Sequence, residues 1–446
     1  MPWPSGGAAP VSAWLVTLAL AFGGAGAGPA LATEPYGQRV VAAQAAWSDE
    51  AAPRVALDHP RIPPEQRAAA RQRAQNLRRR LREQELARGP YAAPLAETLT
   101  ELARAADALG DDAAALKARE RALHLTRVNE GLYSAAQAPL LRALLEGHRR
   151  RGEFARLDER YDYFLRLYGA GRPPWTEARW AATLEYLRWQ REALRRRIDG
   201  ADVQRRLLEL HRRHEDLFKA LRPAGRAVDW ERERDVAFSQ LKTLYLIEVL
   251  VAPAAEDFTA LRGNRAQREG AAAFDRYRER LDNLKRGLRG RGRKLMESLL
   301  DIVPVGAARA RAEIQLAVAD WLQWHGATRE AGERYLALWN RLQGSQYQPL
   351  AQTWFARPVP LPDNGVFWQS DRRVDAAVDL RVTVAASGRA RIDFDAVPAA
   401  ERRTAGRLRR SLHNLRFRPR IDNGALVSTD LPSARWLLLA SAQSGQ

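Results

Sequence analysis

Apolar residues recur at helical spacing over the larger part of the chain, from about Glu34 to Gly344. The segment Pro64–Arg88 follows a proline pair and then contains no helix breaker, as expected of a single helix. Single breakers end the later helical stretches, near Gly110, Gly152, Gly200, Pro223, Pro253, Pro304, Gly326 and Gly344. Uninterrupted helices separated by single breakers predict antiparallel helical hairpins.

Three of the breaker glycines, Gly110, Gly152 and Gly326, have similar residues at the same offsets. Buriable side chains follow at the fifth, ninth and twelfth positions, and an apolar pair precedes each glycine by eight and seven residues. The following residues are Ala115, Arg119 and Ala122, then Leu157, Tyr161 and Phe164, then Ala331, Tyr335 and Leu338; the preceding pairs are Leu102-Ala103, Leu144-Leu145 and Val318-Ala319.

This pattern resembles the tetratricopeptide repeat, in which small residues let two helices of a hairpin pack closely. The resemblance implies an irregular α-solenoid over residues 33–344, with longer helices inserted between Trp175 and Pro304. It makes Gly110, Gly152 and Gly326 turn residues, and it places Ala331 at the closest approach of two helices. The alternative is a helical bundle in which the glycine spacing arose by chance.

After Gly344 the helical period stops. Residues 345–373 contain Pro349, Pro358, Pro360, Pro362 and Gly365, which predict a linker. The aromatic residues Trp354, Phe355 and Trp368 give this linker the means to pack back on the helical body.

Residues 374–446 show the alternating period of strands. Val378, Leu380, Val382 and Val384 alternate with polar residues, Ser387-Gly388 supplies a turn, and Ala390, Ile392 and Phe394 alternate again, which predicts a β-hairpin. Ala405, Leu408, Leu412 and Leu415 then lie at helical spacing. Asn423-Gly424 predicts a second turn, and Val427–Leu439 one or two last strands. The predicted order is strand, strand, helix, strand.

The segments VTVAASGRARIDF, LRFRPR and DNGALVSTDLP resemble the C-terminal domain of the TonB energy-transducer family, over roughly Val374–Leu439. The resemblance implies a small α+β domain in which Phe417 anchors the end of the helix and Pro419 stops it. It also implies that a partner adds a strand to an open sheet edge within Val427–Leu439, for which Val427, Thr429 and Leu431 are the candidate positions. A transducer has an anchor and a proline-rich spacer where this chain has a helical body, so energy transduction does not follow. The domain is expected to fold alone.

The chain is strongly basic, with 72 Lys and Arg against 53 Asp and Glu and a formal net charge of +19. A surplus of this size attracts anions. Most basic clusters are accompanied by Glu or Asp, but KRGLRGRGRK contains no acid across its ten residues, and its glycines suggest a flexible basic turn. Its cations are the candidate anion-binding residues, namely Lys285, Arg286, Arg289, Arg291, Arg293 and Lys294.

The first residues predict export. Ala13–Phe22 is an apolar run too short to span a bilayer, which needs about 20 residues, and Ala30-Leu31-Ala32 matches a signal-peptidase site. Residues 1–32 are therefore interpreted as a signal peptide cleaved after Ala32, leaving Thr33 first. Because no Lys or Arg precedes the apolar run, an uncleaved anchor and a disordered cytoplasmic start remain as alternatives.

Candidate chemistry is sparse. Without cysteine, disulfides and thiol nucleophiles are excluded. His211 and His214 share a helix face beside Glu215, but their order is not that of a zinc protease, so a solvated helix face is the preferred interpretation. With no phosphate-loop, dinucleotide or nucleophile-elbow pattern, neither a cofactor nor a metal nor an enzyme activity is expected.

Together these features favour a periplasmic scaffold of the bacterial cell envelope that binds other proteins. The candidate partners are envelope proteins, in part by strand addition, and anionic lipid or lipopolysaccharide, without specific nucleic-acid binding. The main alternative is a divergent TonB-like transducer component anchored by its N-terminal segment. An enzyme built from carboxylates far apart in the sequence is a third hypothesis.

Overall fold

The computed structural model describes residues 40–42, 63–196, 203–222, 227–251, 277–366, 374–393, 415–431 and 434–439, with a few single positions between them. The described chain is mainly helical, which confirms the broad fold class. The helices are α1 (Pro64–Arg88), α2 (Pro94–Leu109), α3 (Asp112–Glu130), α4 (Gln137–Arg150), α5 (Phe154–Leu167), α6 (Glu177–Arg196), α7 (Val203–Leu221), α8 (Trp230–Leu250), α9 (Leu288–Ile302), α10 (Ala308–Trp324), α11 (Thr328–Leu342) and α12 (Gln348–Phe355). None of these helices is both long and apolar enough to cross a lipid bilayer. The predicted signal peptide lies outside the described residues.

Each helix packs against its neighbour along the chain, from α1 to α12 where both are described. Gly110, Gly152 and Gly326 lie in the short turns of three such pairs, with φ angles of 76°, 68° and 77°. A side chain would strain this left-handed backbone, so glycine allows the next helix to start within a few residues. At α3 the Asp111 carboxylate accepts the Ala114 N–H at 2.9 Å and caps the new helix.

All nine residues at the fifth, ninth and twelfth positions after these glycines are buried. Tyr161 stacks on Trp189 of α6 with ring centroids 4.8 Å apart, and Tyr335 meets Phe355 of α12 edge-on at 5.7 Å. Arg119 stands where the other two units have tyrosine, and it forms an ion pair with Asp107 of α2. The residue at the ninth position therefore contacts a neighbouring helix in all three units: the preceding helix for Arg119 and the following helix for Tyr161 and Tyr335.

The apolar interior has two main parts. One is formed by α1 to α6, and the other extends from α6 to α12 and on to Val366 and Ile421 beyond the helices. Phe355 of α12 is fully buried and Trp354 is half-buried, so the part of the predicted linker that is described contains a packed helix. Trp368 lies outside the described residues.

Ten short strands lie in the described part of the chain. They are β1 (Val40–Ala42), β2 (Val359–Pro360), β3 (Val374–Leu380), β4 (Val382–Val384), β5 (Ala390–Ile392), β6 (Phe417–Arg418), β7 (Arg420–Asp422), β8 (Ala425–Val427), β9 (Thr429–Asp430) and β10 (Ala434–Leu439). They form four small antiparallel sheets, ordered β1-β10-β3, β2-β6, β5-β4-β9 and β7-β8.

The first predicted strand is divided at Arg381. Before it, β3 pairs with β10, and after it, β4 pairs with β5 on one side and β9 on the other. Ser387-Gly388 joins β4 to β5, and Asn423-Gly424, both with positive φ, joins β7 to β8. Most of the predicted helix Ala405–Leu415 lies outside the described residues. Phe417 is in a strand, 2% exposed, and Pro419 separates β6 from β7.

The close packing of α11 gives a test with a matched control. Ala331 is fully buried, whereas Ala337 in the same helix is exposed. Ala331→Leu adds volume to a filled contact and should lower the free energy of unfolding by about 1–3 kcal/mol. Ala337→Leu should change it by less than about 0.5 kcal/mol. Denaturant titration of both variants measures the two free energies of unfolding. Equal values would contradict the packing described for α11.

Candidate functional site

Arg418, in strand β6, is a buried cation that contacts the helical body. It is only 1% exposed, and it pairs with Asp320 of α10 in a two-pronged arrangement. Its Nε donates to Asp320 Oδ1 at 3.0 Å and its Nη2 donates to Oδ2 at 2.6 Å. This parallel pair of charge-assisted bonds is the strongest geometry that an arginine and a carboxylate can adopt.

Further hydrogen bonds surround the pair. The Tyr335 hydroxyl of α11 donates to Asp320 Oδ1 at 2.8 Å. Arg418 Nη1 donates to the Trp354 carbonyl at 3.3 Å, and Nη2 donates to Asp363 Oδ2 at 3.2 Å. Three helices, strand β6 and the loop after β2 thus contribute to one polar cluster, buried at Asp320, Tyr335 and Arg418 but exposed at Asp363. We call it the junction cluster: Asp320, Tyr335, Trp354, Asp363 and Arg418.

The charges in the junction cluster are fixed by their surroundings. Burial by itself would lower the pKa of Arg418, but the charge and hydrogen bonds of Asp320 outweigh it and raise that pKa above its ordinary value. Burial, with the charge of Asp320, raises the pKa of Tyr335 well above 10. Arg418 therefore stays charged, and Tyr335 stays a neutral donor.

A second contact joins the same parts of the chain. The Gln323 side chain of α10 donates to the Ser387 carbonyl at 2.7 Å and to the Phe417 carbonyl at 3.0 Å. The Phe417 N–H donates to the Gly388 carbonyl at 2.9 Å. A Cβ on Gly388 would lie 2.0 Å from Gln323 Nε2, so this glycine provides room for the contact as well as the turn.

A groove opens beside the junction cluster. One part, of about 250 Å³, is lined by Phe238, Tyr245, Leu316, Trp354 and Arg418 among others. A second part, of about 430 Å³, is lined by Trp230, Arg234, Ala307, Ala310 and Tyr347 among others, and both parts share Arg309 and Glu313 of α10. We call the two parts together the junction groove.

The junction groove combines half-buried aromatic rings with charged groups. Trp230, Phe238, Tyr347 and Trp354 are all partly exposed. Aromatic and arginine side chains in such settings dominate the energetics of protein interfaces. The groove lining is thus suited to binding an extended segment of a protein.

Among the described residues, no group of three or more His, Asp or Glu side chains could hold a metal ion.

The basic run contains a turn at Gly287 and is helical from Leu288 onward. A flexible turn over the whole run was wrong, because α9 starts at Leu288 and Gly292 lies against Trp321, whose ring would be 2.3 Å from a Cβ there. Three of the six cations have partners: Lys285 donates to the Val251 carbonyl, Arg286 to Asn283, and Arg293 pairs with Glu297 and Glu330. Arg289, Arg291 and Lys294 are exposed.

The three candidate positions for strand addition are already paired within the chain. Val427 lies opposite Arg420, Thr429 lies opposite Val384, and the Leu431 N–H donates to the Val382 carbonyl at 2.9 Å. In the described sheets β10 is paired on both sides, whereas β8 and β9 each lie at an edge. An added strand would have to use the outer side of β8, which contains Val427, or that of β9, where Asp430 stands between Thr429 and Leu431.

The histidine pair is buried, so a solvated helix face was wrong. His214 is fully buried, with Nδ1 2.7 Å from the Leu210 carbonyl and Nε2 3.0 Å from Ser239 Oγ. Ser239 Oγ also accepts a hydrogen bond from Arg191 at 2.7 Å. The periodicity of α7 could not show that this face packs against α8.

The residue pattern of the sequence does not predict the junction cluster, and the reason is clear. Arg418 stands in the dense basic cluster Arg407–Arg420, where a surface role is the natural expectation. Asp320 gave the one available signal, since it interrupts the apolar stretch LAVADWLQW of α10, where an acid must find a partner.

Comparison with known proteins adds no assignment. No protein-family model matches the sequence, and no curated protein is significantly similar to it.

Removing one partner tests the buried pair. Asp320→Ala leaves the charge of Arg418 buried without compensation and should lower the free energy of unfolding by about 3–5 kcal/mol. Glu313→Ala, which breaks the exposed pair with Arg309 in the same helix, should change it by at most about 1 kcal/mol. The double variant Asp320→Leu/Arg418→Met should recover most of the loss. Denaturant unfolding measures all three, and a silent Asp320→Ala would refute the role given to this pair.

The buried histidine predicts a pH dependence. Burial, and next the charge of Arg191, lower the pKa of His214 to about 3. Below the ordinary histidine pKa of about 6.5, this imidazole is protonated in the unfolded chain but stays neutral in the folded chain. The free energy of unfolding therefore falls as the pH falls. This one residue contributes a slope approaching about 1.4 kcal/mol per pH unit between about pH 6.5 and pH 3.

His214→Gln should flatten that dependence, and His124→Gln, at an exposed position, should not. Denaturant unfolding at several values between about pH 7 and pH 5 avoids most carboxylate titration. If the parent and His214→Gln lose the same stability as the pH falls, the burial of His214 does not cause the pH dependence.

Proposed function

We propose that this chain is a non-enzymatic scaffold that binds other proteins of the cell envelope in the periplasm. The observation that carries the proposal is the junction groove, in which partly exposed aromatic rings and arginines line a concave surface. Successive helical hairpins support it too, since stacked hairpins of the tetratricopeptide type present extended surfaces. The proposed location is supported by the export signals in the sequence alone.

The partner that suits the junction groove is an extended protein segment with apolar and acidic side chains. Trp230 and Tyr347 offer flat apolar surface at one end, and Trp354 and Phe238 offer it at the other. Arg309, which lines both parts, and Arg234, beside Trp230 and Tyr347, supply positive charge, although Glu313 and Asp363 make the lining mixed in sign. The net positive charge of the chain favours an acidic partner by long-range attraction.

Site-specific photocross-linking tests this function. The full chain, with its own N-terminus, is produced in a Gram-negative host with a cross-linking amino acid at Tyr347 or, as a control, at Arg156 on α5. Tyr347 should cross-link to defined envelope proteins, and Arg156 should not. Combining the Tyr347 probe with Arg309→Glu should weaken cross-linking by about tenfold or more, because this reverses a charge at the centre of the groove.

Equal cross-linking from both positions, or no effect of Arg309→Glu, would contradict a binding role for the junction groove. Location is checked on the same cells by intact mass. Mature protein starting at Thr33 in the periplasmic fraction is expected. Uncleaved chain found only in membranes would favour the anchored, TonB-like alternative.

A further inference from the structure

A second groove lies between α7 and α9, away from the junction groove. It has a volume of about 230 Å³. Its walls are His211 and Glu215 of α7 and Arg291, Lys294, Leu295 and Ser298 of α9, and its floor is Gln240 and Leu244 of α8. Two stretches that are 80 residues apart in sequence, the histidine pair and the basic run, therefore meet here.

Two cations from the basic run line this groove. Arg291 and Lys294 are one helical turn apart, so they lie on the same face of α9. Both are exposed, and within the described ranges neither forms an ion pair. Arg293, between them in sequence, faces the other way and is held by Glu297 and Glu330.

His211 supplies a neutral donor behind the two cations. Burial lowers its pKa, Glu215 opposes this, and the charge of Arg291 lowers it further, so the ring is uncharged at neutral pH. The Gln240 amide approaches His211 Nδ1 at 3.4 Å, which places the ring proton on Nε2. Nε2 lies 3.6 Å from Glu215 Oε1, a distance too long for a hydrogen bond.

We propose that Arg291, Lys294 and His211 form a binding site for a phosphate group in the groove between α7 and α9. An arginine fork and a lysine ammonium together match the charge and the oxygen positions of a phosphate. The groove is concave and small, so it suits one compact anionic group better than a long polyanion. Glu215 at the rim opposes the anion and limits its affinity. This site is independent of the proposed scaffold function.

The phosphate can be free or can belong to a lipid headgroup, and two probes distinguish these sources. Binding of inorganic phosphate to the full chain is measured by calorimetry in about 0.15 M salt, where attraction between exposed charges is already screened. Co-sedimentation with phosphatidylcholine vesicles, with and without phosphatidic acid, measures headgroup binding. Phosphatidic acid carries its phosphate as an exposed monoester.

Arg291→Gln and Lys294→Gln should each weaken binding by about tenfold or more, as expected for the loss of one charge-assisted hydrogen bond. Arg289→Gln and Arg293→Gln, in the same run but outside the groove, should leave it unchanged. Glu215→Gln should strengthen it by about twofold or more, because a repelling charge is removed. The melting temperature of each variant checks that the fold is intact.

The relative affinities of the variants for each probe test the proposed site. The expected order with inorganic phosphate supports the site for free phosphate, and the same order with vesicles alone supports it for a lipid headgroup. Binding of neither probe overturns the proposal. So does equal weakening by all four cation variants, which would indicate diffuse attraction, or a Glu215→Gln variant that fails to bind more tightly.

Discussion

The fold depends on the neutralisation of one buried charge. Arg418 cannot lose its proton, and the removal of an ion from water costs several kcal/mol unless a partner is held in place. That partner, Asp320, belongs to a helix 98 residues earlier in the chain. Strand β6 therefore keeps its buried position only while α10, α11 and the segment after α12 surround it.

The other contacts at the junction follow from this constraint. The Gln323 side chain donates to the Ser387 and Phe417 carbonyls, and the absence of a side chain at Gly388 leaves space for it. Val366 and Ile421 extend the helical core into the C-terminal section. We infer that the helical body and the described C-terminal strands act as one cooperative unit. The junction groove is then lined by residues that packing and hydrogen bonds already hold, which lowers the entropy lost when a partner binds.

The sequence predicted what depends on local spacing. The helical period from Pro64 to Leu342 and the turn glycines follow from helix geometry, and the buried offsets after Gly110, Gly152 and Gly326 are a consequence of one helix packing on the next. Strand alternation predicted turns at Gly388 and Gly424, but it contains no information on partners, so the division of strands at Arg381 could not be foreseen.

The candidate sites were harder to predict because they join distant segments. Arg418 lies in a sequence cluster of arginines of the kind that is usually exposed, so its burial was not expected. The approach of His211 to Arg291 depends on how α7, α8 and α9 pack. Gly292 suggested flexibility in the sequence, whereas its role is to admit the ring of Trp321. In each case the missing information is tertiary contact, which residue spacing does not encode.

Hydrogen–deuterium exchange of the full chain, followed by peptide mass spectrometry, tests the central claim most directly. If the junction makes one cooperative unit, the amide of Phe417, bonded to Gly388, should open with about the same free energy as the core amides of α10. Fast exchange across Phe417–Arg418 while α10 stays protected would contradict the account, because it would show that the C-terminal strands separate from the helical body without unfolding it.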